Sequence, residues 1–379
     1  MVIPTHLDGS QGRNRAITRN QLSANDDRSA VLAWLARYCD SPATLSSYRK
    51  EAERLMLWCT LQHAVALSDL THEDLMVYQR FLTDPQPEER WVMAPGQKPP
   101  RNSPLWKPFA GPLSPSSQRQ TLSILNAMLT WLVEAGYLAG NPLALGRRKK
   151  RLVAPRVSRF LPMEHWQVVK NTIEAMPVAS NRDRQHAARC RWLFSLLYIG
   201  GLRASEVCNS TMGAFFNQRG TDGRHRWWLV VTGKAEKTRL IPATGELMTE
   251  LMRYRKANGL TQLPTETDDT PLMIPIIGPC KPMARTALHE VVKGVMRESA
   301  ARIRRQGTEF EATATHLEQA SAHWIRHTAG SHMSDKADLK MVRDNLGHSN
   351  ISTTSIYLHS EDDARHDATS AAHRAQWNA

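Results

Sequence analysis

A single stretch, Gly146 to Arg159 (GRRKKRLVAPRVSR), constrains this chain more than any other feature. It carries Arg147, Arg148, Lys149, Lys150, Arg151, Arg156 and Arg159, a proline, and no acid. Like charges packed this densely repel one another and cannot be buried together, so the stretch reads as a linker and not a core element. It also separates two different kinds of pattern, and the chain must therefore fold as at least two domains. With 379 residues, each side is long enough for its own core.

Before the linker the pattern is helical. Residues 1 to about 27 are polar and unpatterned, and a flexible N-terminal arm is expected there. Val31, Leu32, Trp34, Leu35 and Tyr38 then fall at spacings that suit one buried helix face. Ser41-Pro42 is a good helix entry, followed by Leu45, Tyr48, Leu55 and Trp58 up to Gln62. Thr71 and Asp74 form a capping-box pattern ahead of Leu75, Tyr78 and Leu82. Residues 84–113 break the series with Pro85, Pro87, Pro95, Pro99, Pro100, Pro104, Pro108 and Pro112, and read as an extended loop. Ser114-Pro115 opens another helix, with Leu122, Leu125, Leu129 and Leu132 on one side; it stops at Gly136, and Gly140-Asn141-Pro142 marks a firm boundary. The expectation is an all-α domain over 28–145 with a Pro-rich insertion at 84–113.

After the linker, over 160–379, the pattern is mixed α+β. Helical spacing covers about 162–176, 185–200 and 244–257. Trp227 to Val231 and Arg239 to Pro242 are dense in aromatic or β-branched residues, and Gly233 with its charged neighbours reads as the turn of a hairpin between them.

The formal net charge is +13 and the pI about 9.8. Such a balance favours a polyanionic partner, since each neutralised phosphate releases condensed counterions. On this reading the linker is either a solvated hinge or a strap across DNA phosphates. The five cysteines include no CxxC pair, so neither a zinc site nor a disulfide framework is indicated, and buried thiols in a reducing compartment are expected. No apolar run approaches the roughly 20 residues of a membrane helix. The N-terminus lacks an apolar signal region, and a cytoplasmic location is expected.

Five short segments hold residue types suited to chemistry: GLRASE (Gly201 to Glu206), TGKAEKTR (Thr232 to Arg239), HWIRHT (His323 to Thr328), LGH (Leu346 to His348) and Tyr357. Singly each is weak; His323 and Arg326, for instance, are simply one helical turn apart. In order, however, Arg203, Lys234, His323-x-x-Arg326, His348 and Tyr357 match the signature of the tyrosine recombinases of the phage-integrase family, and the chain resembles that family over nearly its whole length. The stretch LGHSNISTTSIY places Tyr357 nine residues after His348, and Tyr357 alone of the seven tyrosines follows the HxxR pair.

The resemblance implies a SAM-like, α-helical core-binding domain and a catalytic domain that together clamp double-stranded DNA. It implies a site-specific recombinase in which Tyr357 attacks a backbone phosphate to give a 3′-phosphotyrosine. It also implies a homotetramer on paired sites and a Holliday-junction intermediate, with accessory proteins admitted as further partners. Arg203 and Arg326 would stabilise transition-state charge. His323 would accept the tyrosine proton, His348 would donate to the phosphate, and Lys234 would be the general acid, with Lys237 as a nearby competitor. Glu206 would either orient the site or serve as a helix N-terminal charge. Arg147, Arg148, Lys149, Lys150, Arg151 and Arg156 would contact DNA. No metal or cofactor is called for. The tail beyond residue 361 would dock on a neighbouring protomer or lie as a surface helix. Ala235 stands where a second glycine is common in the family. A type IB topoisomerase and a catalytically silent DNA-binding protein are the rival readings.

Overall fold

The computed structural model describes residues 4–17, 20–97, 99–146, 159–233, 237–334 and 338–347. The chain divides into two compact units, Met1–Leu152 and Val153–Ala379, each with its own core. Among the described residues, no helix is long and apolar enough to cross a membrane.

The first unit is helical: α1 (Asp27–Ala36), α2 (Pro42–Trp58), α3 (His72–Thr83), α4 (Glu88–Trp91) and α5 (Pro115–Glu134). Local chemistry sets the boundaries. The Asp26 carboxylate caps α1 by accepting from Ser29 N–H at 2.7 Å. Pro42 and Pro115 occupy first-turn positions, where a missing N–H costs nothing. The Thr71–Asp74 capping box forms as its pattern predicts. Trp34, Leu55, Trp58, Tyr78, Leu82, Leu125 and Leu129 are all buried. Leu32 lies outside that face, 52% exposed.

Two segments depart from expectation. The N-terminal segment is no free arm over its described part. Asn14 pairs through its side chain with both the N–H and the C=O of Gly140 (3.0 and 2.9 Å). Ala16 N–H donates to Tyr137 C=O, and the Arg15 guanidinium lies 4.0 Å over the Tyr137 ring. The Tyr137 hydroxyl in turn donates to the buried Asp27 carboxylate at 2.9 Å. Polar groups hold the segment, which is why apolar periodicity gave no sign of it. The Pro-rich insertion likewise folds back: α4 lies within it, and Trp91 and Phe109 are both buried in the core of the unit. Their backbones pair (Phe109 N–H to Trp91 C=O, 3.0 Å), and Arg54 Nε donates to Pro108 C=O at 2.9 Å.

The second unit holds α6 (Met163–Glu174), α7 (Asn181–Tyr198) and α8 (Ala204–Asn209). A three-stranded antiparallel sheet follows, β1 (Phe215–Arg219), β2 (His225–Thr232) and β3 (Thr238–Ala243), in the order β1-β2-β3. The chain continues through α9 (Gly245–Ala257), α10 (Arg285–Arg304), α11 (Glu311–Gln319), α12 (Ala322–Ser334) and α13 (Leu339–Leu346). The β2–β3 hairpin forms as expected, with Leu229 opposite Ile241 and Val231 opposite Arg239. Strand β1 had no sequence signal, since its FFNQR exposes all but its first two positions. The buried core includes Leu193, Leu197, Leu229, Val231, Ile241, Leu247 and Ile325. Cys59, Cys190 and Cys208 are buried as expected, but Cys39 and Cys280 are exposed.

Candidate active site

Arg203 follows a tight exit from α7. Gly201 sits at φ +57°, and a Cβ there would lie 2.8 Å from the Leu346 side chain, so the residue must be glycine. This turn delivers Arg203 to the N-cap of α8. Its backbone N–H donates to Glu206 Oε2 at 2.8 Å, and its Nη1 to Glu206 Oε1 at 2.7 Å. The Arg203 side chain remains 36% exposed, and Glu206 only 2%. Glu206 is therefore both of the things the sequence left open: it completes the first turn of α8 and fixes the neighbouring guanidinium.

Sequence reasoning did not assign a role to Arg239. From β3 it grips both Glu206 oxygens, at 2.7 and 2.8 Å, and sends Nε to Asn345 C=O at 3.1 Å. Its side chain is 11% exposed. Its place inside the TGKAEKTR segment, on the strand leaving the lysine hairpin, was the only available signal. Burial works to raise the Glu206 carboxyl, but the Arg239 hydrogen bonds, the Arg203 N–H, the Arg239 charge and the Arg203 side-chain hydrogen bond outweigh it and hold the group at about 2. Glu206 is thus a fixed anion already shared between two cations.

Arg326 is 1% exposed on α12. Its Nη1 donates to Gly201 C=O and its Nη2 to Leu346 C=O. One side chain thereby ties the segment before Arg203 to the end of α13. That helix stops at Gly347, φ +61°, where a Cβ would fall 2.6 Å from Arg239 Cδ. Arg203 Nη2 also reaches Gly347 C=O at 3.4 Å. His323, one turn before Arg326, keeps an open face yet is enclosed by protein at longer range. Lost hydration, then the guanidiniums of Arg326, Arg203 and Arg159, lower its pKa below 6.5. A neutral imidazole at pH 7 can accept a proton.

The structure thus brings together Arg203, Glu206, Arg239, His323 and Arg326, with the turn that leads to His348. Lys234, His348, Tyr357 and Arg147, Arg148, Lys149, Lys150, Arg151 and Arg156 lie outside the described residues. Lys237 is described: its C=O accepts from Gly233 N–H at 2.8 Å, closing the base of the hairpin.

Residues 167–364 match the phage integrase family, a span that includes every assigned position from Arg203 to Tyr357. The chain belongs to that family. This tyrosine recombinase is 31% identical over 246 residues to the tyrosine recombinase XerC of Corynebacterium efficiens, covering 64% of this chain and 66% of that one. It is 30% identical over 267 residues to XerD of Brucella abortus, covering 69% and 77%. Among solved structures, XerH bound to its difH substrate superposes with a TM-score of 0.58 at 14% identity, covering 94% of this chain and 90% of that one. The Tn1549 transposon integrase in complex with transposon right end DNA gives 0.55 at 15%, covering 91% and 99%. These likenesses carry the fold, an all-helical unit and an α+β unit. The sequence relatives carry the activity class, site-specific recombination by a tyrosine recombinase.

Proposed function

We propose that this recombinase cuts and rejoins double-stranded DNA through a covalent bond between Tyr357 and a 3′-phosphate. The Tyr357 Oη–P bond forms as the P–O5′ bond breaks, and the phosphodiester energy is retained for rejoining by another 5′-hydroxyl. His323 takes the phenolic proton, which a free tyrosine, with a pKa of about 10, would hold at neutral pH. Lys234 gives a proton to the leaving 5′-oxygen, and His348 donates to a non-bridging oxygen. Arg203 and Arg326 stabilise the charge that gathers on the non-bridging oxygens, each worth about 2.7–4 kcal/mol on the scale of oxyanion donors.

The observation that carries this reading is that the Arg203 and Arg326 guanidiniums act on the His323 imidazole, while the carboxylate beside Arg203, Glu206, is already shared with Arg239. The site therefore offers net positive charge and a neutral base, both of which suit phosphoryl transfer. Two solved neighbours, XerH on difH and the Tn1549 integrase on transposon end DNA, were captured on DNA. The same reading has the two units clamp a duplex, with the basic linker along its backbone and four protomers exchanging strands through a Holliday junction. The tail beyond residue 361 then docks on a neighbouring protomer.

A suicide substrate nicked just beyond the scissile phosphate tests it. The wild-type chain should accumulate a covalent protein–DNA adduct, and Tyr357→Phe should give none while still shifting the duplex on a gel. An adduct from Tyr357→Phe would refute the assignment of the nucleophile.

A further inference from the structure

Helix α7 carries four arginines, and two of them are engaged elsewhere. Arg184 donates to the carbonyls of Val178 and Ala179. Arg191 grips Glu250 through Nε at 2.7 Å and Nη2 at 2.9 Å. Arg182 and Arg189 differ: among the described residues neither has a carboxylate partner within salt-bridge distance. With His186 they fall at spacings of four and three residues, on one face of the helix.

That face lines a cavity of about 540 Å³, closed on its other side by the segment from Pro275 to Ala287, which contributes Lys281. Asp183 is its single acid, and its carboxylate is already engaged in the capping box with Ser180 N–H at 3.0 Å. Inside the wall, the Nε–H of Arg189 is shielded from solvent and has no hydrogen-bond partner. A buried donor left unmatched is a rare and costly condition that calls for an explanation. Arg189 Nη2 donates to His186 Nδ1 at 2.9 Å, which leaves the imidazole proton on Nε2. The pocket thus presents two guanidiniums, an ammonium and an imidazole, with no free anion among them. It lies toward the far end of α7 from Arg203: Arg189 is nine residues before Tyr198, about 13 Å along the helix axis.

We propose that Arg182, Arg189, His186 and Lys281 form a phosphate-binding pocket separate from the Arg203 site. Two guanidiniums offer the planar paired donors that suit a phosphate, and Lys281 adds a point charge from the facing segment. The phosphate is either one link of a duplex backbone held away from the scissile bond or a free phosphate. The first source rests on the proposed action on DNA; the second does not.

The test compares the full-length wild type with the double variant Arg182→Gln/Arg189→Gln. Arg297→Gln/Arg305→Gln serves as a surface control with the same charge loss, and a melting curve shows that each folds. Inorganic phosphate, added against sodium chloride at equal ionic strength, should raise the melting temperature of the wild type and of the control but not of the pocket variant. Duplex affinity is then measured across salt concentrations. A fall of about 1 in the log–log salt slope, in the pocket variant and not in the control, identifies the ligand as a backbone phosphate. Phosphate protection with an unchanged slope identifies a free anion. If phosphate protects all three proteins equally, or none while the slopes agree, the pocket binds no phosphate and the proposal is overturned. Adduct formation by the pocket variant on a nicked substrate keeps this outcome distinct from a failure of the recombinase reading.

Discussion

Replacing Arg239 with Gln removes a buried cation from a buried carboxylate, and the structure sets the size of the effect. Glu206 is held at about 2 against an ordinary 4.5, which corresponds to about 3–4 kcal/mol at roughly 1.4 kcal/mol per tenfold change in proton affinity. Breaking a buried pair by removing one partner costs about 3–5 kcal/mol. Arg203 remains bonded to the same carboxylate, so the lower end, about 3 kcal/mol, is expected at pH 7. The sign of the pH dependence follows from the depressed value. The stabilisation is fully present above 4.5 and is lost as pH falls toward 2. The deficit of Arg239→Gln should therefore be largest at pH 7 and shrink at pH 3.5, where the wild type has begun to lose the same interaction.

Urea unfolding of the full chain at both pH values, for wild type, Arg239→Gln, Glu206→Gln and the double variant, reads this directly. A coupling energy of about 2 kcal/mol or more at pH 7 is expected between the two positions. Coupling below about 0.5 kcal/mol, or a deficit equally large at both pH values, would refute the reasoning. Arg239→Lys separates charge from geometry. It keeps the cation but cannot reach both Glu206 oxygens and the Asn345 carbonyl together, so it should recover only part of the loss.

Three further outcomes are expected. Arg326→Lys gives up the paired anchors to Gly201 and Leu346 and should slow adduct formation on a nicked substrate by about 10²–10³-fold with little change in duplex affinity; a rate within about threefold of wild type would count against Arg326 as a charge stabiliser. Because lost hydration and the guanidiniums of Arg326, Arg203 and Arg159 depress His323, adduct formation should hold steady through pH 7 and fall only below 6.5, as the imidazole takes a proton. A break at or above pH 7, or one that persists in His323→Gln, would show another group to be the base. Tyr137→Phe removes the hydroxyl between Arg15 and Asp27 and should cost about 1–3 kcal/mol while opening the N-terminal segment to trypsin at Arg13 and Arg15; unchanged proteolysis would mean the segment is held by its other bonds, that of Asn14 to Gly140 among them.

What the sequence made legible follows from how each feature is encoded. Helices with a capping residue and an apolar stripe, such as α3 behind Thr71 and α5 behind Ser114-Pro115, announce themselves within a few residues. The β2–β3 hairpin does so through its dense run of Trp227 to Val231. Strand β1 and the N-terminal segment did not, because their order rests on partners distant in sequence: β1 on the pairing of Phe215 with Leu229, and the segment at Asn14 on Gly140. In the site, Arg203, His323 and Arg326 were legible as an ordered set of residue types.

Arg239 was not legible, although it stands in a quoted segment, because its importance is a property of the fold. An arginine on a strand beside a lysine hairpin looks like one more surface cation until β2 and β3 pair. Only then does it turn inward onto Glu206, 33 residues earlier, and onto Asn345, 106 residues later. The same argument explains why the carboxylate is kept inside a site built to attract phosphate. An unpaired Glu206 would repel the substrate, and an absent one would leave Arg203 and Arg239 to repel each other. Shared between both, it cancels charge that the site does not present and fixes the guanidinium that it does. The Arg203 side chain, left 36% exposed, is the accessible end of that arrangement.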